Sequence, residues 1–569
     1  MNQRNLKELI SVARGQSPAD LLLANARIIN VFSGEIEQGN VAVYGGSIAG
    51  IGDYHQGRDI LDLKGKYLAP GFIDGHTHVE SSLLYITQYA RAVVPHGTTA
   101  VVTDLHEVAN VCGLEGARQI LMACDDLPLD VFFMVPSCVP ATHLETAGAE
   151  ITADSVQAAL NWKHALGLGE MMNFPGVINC DPEVLLKLAF ACGLVIDGHA
   201  PGLSGRDLNA YAAAGIRSDH ESTSLEEARE KLNRGMWVMI REGSSEKNLT
   251  ALLPLVTDKT WHRCFFVVDD RSCVDLLADG DIDAVVRKAI QLGLDPIRAI
   301  QMATINPAQY FSLEGLGAIA PGYQADLVVF SDLASLGIEM VFHRGRLVTQ
   351  DGHALFNEDS TPGNALRHTV KMKPFGSEAL RIPADKRHQP VIEIVPGQII
   401  TKKNKDEVKV RDSFVVSDVE RDMLKLAVVE RHKASGNIGL GLVKGFGLKK
   451  GALASSVAHD SHNVIAVGAD DGDMFEAIRE IERLQGGLVV AGEGHILASL
   501  PLPIAGLLSD EPLEAVVAKL AYLESVAADL GCTLNSPFST LSFLALPVIP
   551  EIRLTDLGLV DVESYGLLT

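Results

Sequence analysis

Two histidines stand two residues apart at the end of an apolar run, in Phe72-Ile73-Asp74-Gly75-His76-Thr77-His78. On a strand, residues i and i+2 share a face, so both imidazoles can enter one cavity at the strand end. Imidazole is a common ligand for zinc, iron and related ions, and a pair on one face favours a metal over two unrelated core histidines. Further apolar runs end in donors of the same kinds. They are Leu166-Gly167-Leu168-Gly169-Glu170, Leu194-Val195-Ile196-Asp197-Gly198-His199, Gly215-Ile216-Arg217-Ser218-Asp219-His220 and Phe265-Phe266-Val267-Val268-Asp269. Each alone has a plainer reading: Glu170 as a helix cap, His199 as a loop residue, Asp269 as an N-cap. Strand C-termini of a parallel barrel converge on one face, where His76, His78, Glu170, His199, His220 and Asp269 would meet.

Other chemistries fail on pattern. Zinc deaminases of nucleic-acid bases carry H-x-E followed by P-C-x-x-C. His78-Val79-Glu80 and His143-Leu144-Glu145 match the first half, and no P-C-x-x-C follows. The chain has neither a phosphate-binding G-x-x-x-x-G-K-[ST] loop nor H-E-x-x-H.

The elements that must position these residues follow from texture. Residues 20–68 read as short strands (Leu21–Leu23, Ala26–Val31, Asn40–Val43, Ser47–Ile51) broken by Ser33-Gly34 and Gly45-Gly46. From residue 70 to about 311, apolar runs such as Thr99–Thr103, Val131–Val135, Trp237–Ile240 and Phe265–Val268 alternate with helix-like stretches. The latter include Gly113–Ala123, Ser155–Lys163, Pro182–Cys192, Leu225–Asn233 and Ile282–Leu292. That alternation predicts an α/β fold with a parallel barrel or a doubly wound sheet. Strand texture returns over 312–350, with Ala325–Ser331 and Val341–Val348, and would complete the small β-domain begun in residues 1–69. A polar stretch with three prolines, 351–385, reads as a linker to a C-terminal α/β domain over 386–569.

Composition sets outer bounds. The chain has 569 residues, 47% of them hydrophobic, which is more than a single core usually accommodates. The formal charge of −24 argues against a duplex nucleic-acid partner, which needs a basic face. Met1 to Gly15 is polar, without a secretory apolar segment, and no run suits a bilayer span. Eight cysteines are scattered without C-x-x-C, which suits reduced thiols in a cytoplasmic protein.

Longer stretches resemble the amidohydrolase superfamily and, within it, the bacterial adenine deaminase family. They are Pro70-Gly71-Phe72-Ile73-Asp74-Gly75-His76-Thr77-His78-Val79-Glu80-Ser81-Ser82, Gly169-Glu170-Met171-Met172, Asp197-Gly198-His199-Ala200-Pro201-Gly202, His220-Glu221-Ser222 and Ile240-Arg241-Glu242-Gly243-Ser244. Gly451-Ala452-Leu453-Ala454 and His459-Asp460-Ser461-His462-Asn463 extend the likeness into a C-terminal domain that most amidohydrolases lack. The resemblance implies a (β/α)8 barrel, a small β-sandwich built from both of its flanks, and two divalent metals. His76 and His78 would hold the first metal with Asp269, His199 and His220 the second, and Glu170 would bridge. All-N/O ligation permits manganese, iron or zinc, and the resemblance favours manganese or iron. The implied reaction is hydrolytic deamination of adenine to hypoxanthine and ammonia in purine salvage, by a homodimer acting on a small purine. Another cyclic amide or amidine hydrolase on the same scaffold, or a non-catalytic relative, are the alternatives.

A bound dication brings the pKa of water toward ~7. Asp269 is the candidate base that moves the water proton to the departing amine. Attack places charge on the ring nitrogens, so an acid must face N1. Glu107, with Asp104 and His106 as neighbours, follows the run Thr99–Thr103 and fits that place. The plainer reading of Asp104-Leu105-His106-Glu107 is an N-cap and a solvated first helical turn. Glu80 stands between the same two readings, as a substrate contact or a bystander.

Overall fold

The computed structural model describes residues 3–356 and 362–568; residues 357–361, inside the expected linker, lie outside the described residues. Eight short parallel strands carry the centre of the molecule. Phe72–Asp74, Thr98–Thr103, Asp130–Pro136, Ala165–Met171 and Val195–Gly198 form one arc, and Ser218–Asp219, Trp237–Arg241 and Cys264–Val267 a second. Backbone hydrogen bonds join the arcs at both seams. Arg217 N donates to Ile196 O at 3.0 Å on one side, and a parallel bridge pairs Thr77 with Asp269 on the other. The strands are apolar on both faces because one face packs inward and the other meets helices. Inside lie Ile73, Ala100, Val102, Met134, Met239, Phe265 and Val267, all buried together with Tyr310 and Phe311.

The outer helices form where polar caps meet a 3.6-residue apolar period. Asp181 accepts from Glu183 N and Val184 N ahead of Pro182–Phe190, with proline at the first turn. In Ile282–Gln291, Ile282, Val285, Val286 and Ala289 are buried along one stripe. The helix His106–Ala123 begins seven residues before the expected Gly113, and Gly113 itself breaks it with φ 64°.

Residues 19–70 and 327–354 together make one nine-stranded sheet, a continuous hydrogen-bonded path rather than two separate sheets. The strand Ala19–Asn30 pairs with Gly57–Asp62 along its first half, and its register against Glu35–Tyr44 shifts between Leu23 and Ala26. Its second half pairs with Tyr67–Pro70. That last strand leads directly into Phe72, so the sheet anchors the start of the barrel.

The C-terminal region carries an eight-stranded, mostly antiparallel sheet with the helices Asp471–Leu484 and Leu513–Asp529. It is fastened to the barrel. Ser509 N donates to Leu83 O at 2.8 Å, and Thr555 Oγ1 to Leu144 O at 2.7 Å. Thr146 N donates to Asp556 at 2.9 Å, and Arg91 pairs with Glu514 at 2.9 Å. One buried apolar cluster runs through both parts, from Val79, Leu84 and Leu105 to Leu453, Leu508 and Leu541. The stretch between them is also tied in, with Leu366 and Leu380 fully buried. Among the described residues, no helix is long and apolar enough to cross a membrane.

Candidate functional site

At the C-terminal end of the strands, all six expected donors come together. His76, His78 and Asp269 offer ligand atoms within 4.8 Å of one another, as do His76, Glu170 and His220. Asp269 Oδ1 lies 3.0 Å from His78 Nε2 and 3.3 Å from His76 Nε2. Glu170 Oε2 lies 2.9 Å from both His199 Nδ1 and His220 Nε2, and 3.8 Å from His76 Nε2. Glu170 thus sits between two pairs of imidazoles. All but His199 are nearly closed to solvent. His76 Nε2 is buried without a hydrogen bond of good geometry, a nitrogen that a cation would satisfy.

The backbone fixes this arrangement before the side chains do. Asp269 N donates to His76 O and His78 N to Asp269 O, both at 3.0 Å. Asp269 is held at φ 60°, an unusual value for a non-glycine residue, where the two strand ends meet. Asp219 Oδ2 takes the fully buried Lys231 ammonium at 2.6 Å and Ala200 N at 2.9 Å. That single carboxylate pins the residue after His199 and the residue before His220.

Arg241, Glu221 and Asp104 complete the shell. Arg241, 3% exposed, donates to Asp269 Oδ2 at 2.6 Å and to both oxygens of Glu221 at 2.7 and 3.0 Å. Burial alone would raise the Asp269 carboxyl; Arg241, His76 and His78 outweigh it and hold it well below the usual range. Asp104 Oδ1 faces His78 Nδ1 at 3.2 Å and His106 Nδ1 at 3.0 Å. This geometry gives Asp104 an orienting part behind His78 in place of the substrate contact its position suggested. With Nδ1 taken up by Asp104, His78 turns its Nε2 toward the cavity and Asp269 Oδ1.

Glu107 and His106 are buried, 1% and 5% exposed, so the solvated-turn reading of this segment is wrong. The segment packs inward because residues 458–463 of the C-terminal region cover it. His459 Nδ1 lies 3.4 Å from Glu107 Oε1, His462 Nε2 3.6 Å from Oε2, and Asp460 Oδ1 3.9 Å from His106 Nε2. Burial first, and then the negative charge of Glu80, push the Glu107 carboxyl well above its ordinary value. Glu80 is buried as well and accepts from Val108 N at 3.2 Å, which ties it to the same helix.

Residues 67–348 match the amidohydrolase family, and residues 398–565 match the adenine deaminase C-terminal domain. Over 566 residues the chain is 61% identical to an adenine deaminase of Dehalococcoides mccartyi, covering 100% of this chain and 99% of that one. It is 51% identical to adenine deaminase 2 of Carboxydothermus hydrogenoformans, covering 99% of each. An adenine deaminase of Halalkalibacterium halodurans is 45% identical, covering 99% of this chain and 98% of that one. The chain belongs to the adenine deaminase family.

For a member of this family the docked C-terminal domain is part of the site's surroundings. Beside the donors, a cavity of about 350 Å³ is walled by Ser81, Asp270 and Ser244 from the barrel and by His459, Phe543 and Glu524 from the C-terminal region. The His459 ring stacks on Phe543 at 4.6 Å. Burial alone pushes the Glu524 carboxyl up to about 7 from 4.5. An acid with a raised folded-state value contributes most at low pH, and that contribution fades as pH rises through about 7. Glu524→Gln should therefore raise Tm more at about pH 8.5 than at about pH 5.5. Equal shifts at the two pH values in a thermal-melt series would refute the unpaired burial of Glu524.

Proposed function

We propose that this chain catalyses the hydrolytic deamination of adenine to hypoxanthine and ammonia. The observation that carries the reading is likeness to adenine deaminases over the full length, C-terminal domain included. The donor set fits divalent metal: four imidazoles and two carboxylates, buried and mutually within reach, one imidazole nitrogen without a hydrogen bond of good geometry. His76, His78 and Asp269 would hold one ion, His199 and His220 another, with Glu170 between, and manganese or iron suits such ligands. When bound, the ions supply an activated water at neutral pH.

The chain's own residues supply the rest. Arg241 fixes Asp269 through Oδ2 and leaves Oδ1 facing the cavity. Each carboxylate oxygen has two lone pairs, so Oδ1 can lie against an ion and still take a proton. Asp269 accepts one proton from the attacking water and delivers it to the leaving amine. Glu107, kept protonated by its burial, gives its proton to N1 as electrons arrive there from the attacked C6. The product retains that proton on N1. The proton shed from the new C6 hydroxyl, as the carbonyl forms, restores the acid in net, so the count closes. His106 and Glu80 border the substrate side of Glu107. We further read the enzyme as a cytoplasmic homodimer in purine salvage.

The test is a substrate panel on metal-replete protein. Adenine should convert to hypoxanthine, seen by its ultraviolet change, while hydantoin- and imidazolone-type rings stay intact. Turnover of those rings without adenine turnover would overturn the reading.

A further inference from the structure

The segment 458–463 belongs to the C-terminal domain, yet it reaches the residue read as the ring acid. Glu107 comes from the barrel, and its two carboxylate oxygens face two imidazoles of this segment: His459 at Oε1 and His462 at Oε2. The two histidines differ in setting. His459 lines the cavity and stacks on Phe543. His462 is fully buried, and its Nε2 has no hydrogen-bond partner.

The tautomer of His462 follows from its other nitrogen. Ala458 N donates to His462 Nδ1 at 3.2 Å, so Nδ1 is an acceptor and carries no proton. A neutral imidazole then has its hydrogen on Nε2. Burial, with His459 and Arg431 nearby, holds His462 well below its ordinary value and keeps it neutral. A nitrogen that bears hydrogen cannot ligate a metal. The Glu107–His459–His462 group is therefore poorly suited to a third ion, although its atoms are close enough for one. What remains is a buried N–H donor aimed at Glu107 Oε2 from 3.6 Å, slightly beyond hydrogen-bond length. Hydrogen bonds of this sort are often long without substrate and tighten when it binds. The segment is firmly placed: Arg431 donates to His462 O, and Asn463 Nδ2 donates to Thr146 O of the barrel at 2.9 Å.

We propose that His462 is a positioning residue for the deamination, its Nε2–H holding Glu107 where the acid can reach the purine ring. The C-terminal domain then contributes to catalysis as well as covering the site. This rests on the reading of Glu107 as the ring acid.

Two substitutions in the full-length, metal-replete protein separate positioning from structure. His462→Gln puts an N–H donor near the Nε2 position but loses the acceptor for Ala458 N. His462→Asn keeps an oxygen near the Nδ1 position for Ala458 N but loses the donor toward Glu107. If His462 positions Glu107, the Asn variant loses at least ~10-fold in kcat with KM within ~3-fold, and the Gln variant stays within ~3-fold of the parent. In a Glu107→Gln background, His462→Asn should cost nothing more. Asn outperforming Gln, equal losses in both, or unfolding of both would make the role structural and overturn the proposal. So would a third equivalent of manganese in the parent protein that both variants lack. A fully active Glu107→Gln protein would instead overturn the Glu107 reading itself. An inactive Glu107→Gln beside an active His462→Asn would remove only the positioning role.

Discussion

Asp269→Asn should leave a folded protein that turns adenine over at least ~10²–10⁴-fold more slowly at saturating metal. The amide has nearly the shape of the carboxylate, so the backbone pairing between Asp269 and the His76–His78 segment should survive. What is lost is basicity. An amide oxygen takes no proton from water at neutral pH, and amide nitrogen is no ligand. Arg241 also loses a charged partner at 2.6 Å, which costs stability because the guanidinium is buried. Metal content must be measured beside kcat, since weaker binding and lost base chemistry both lower activity. Near-normal turnover in a metal-replete variant would remove Asp269 as the base.

Glu107→Gln should be as damaging for a different reason. Gln can donate a hydrogen bond to N1 but cannot transfer a proton. A loss of ~10²-fold or more in kcat with metal content unchanged is expected. The pH profile gives a second readout. Glu107 must be protonated to act, and its pKa is raised by burial and by Glu80. Activity is then present below that raised value and lost as pH rises through it, giving an alkaline limb above the ordinary carboxylate range. Residual activity in the Gln variant should lack this limb. A parent profile with its only carboxylate limb on the acid side would contradict the assignment.

The donors were legible because the signal is local. A strand that ends in His, Glu or Asp shows its chemistry in adjacent letters, and the parallel arrangement brings such ends together without further information. His76, His78, Glu170, His199, His220 and Asp269 converge for that reason. The segment from His106 to Cys112 was harder. Its helix carries buried His106, Glu107 and Asn110 on the inner face, so polar letters occupy positions that a helical period reserves for apolar ones. Their sequence leaves a ring acid and a solvated turn both open, because the cover that decides between them, residues 458–463, lies some 350 positions away in sequence. Arg241 and Asp104 were visible as residues, but their roles depend on distances to Asp269 and His78 that no sequence period encodes. The shared apolar cluster between barrel and C-terminal region likewise arises from side chains distant in sequence. A barrel cut free of that region should expose the apolar face that this cluster buries.

The central claim is a deaminase whose activity depends on the buried histidine–carboxylate centre. Chelator-stripped protein, titrated with manganese while adenine loss and hypoxanthine formation are followed, tests it most directly. The expected curve rises from near zero and levels at about two equivalents per chain. Hypoxanthine formation that is already complete in metal-free protein, or that never appears at any metal loading, would contradict the account.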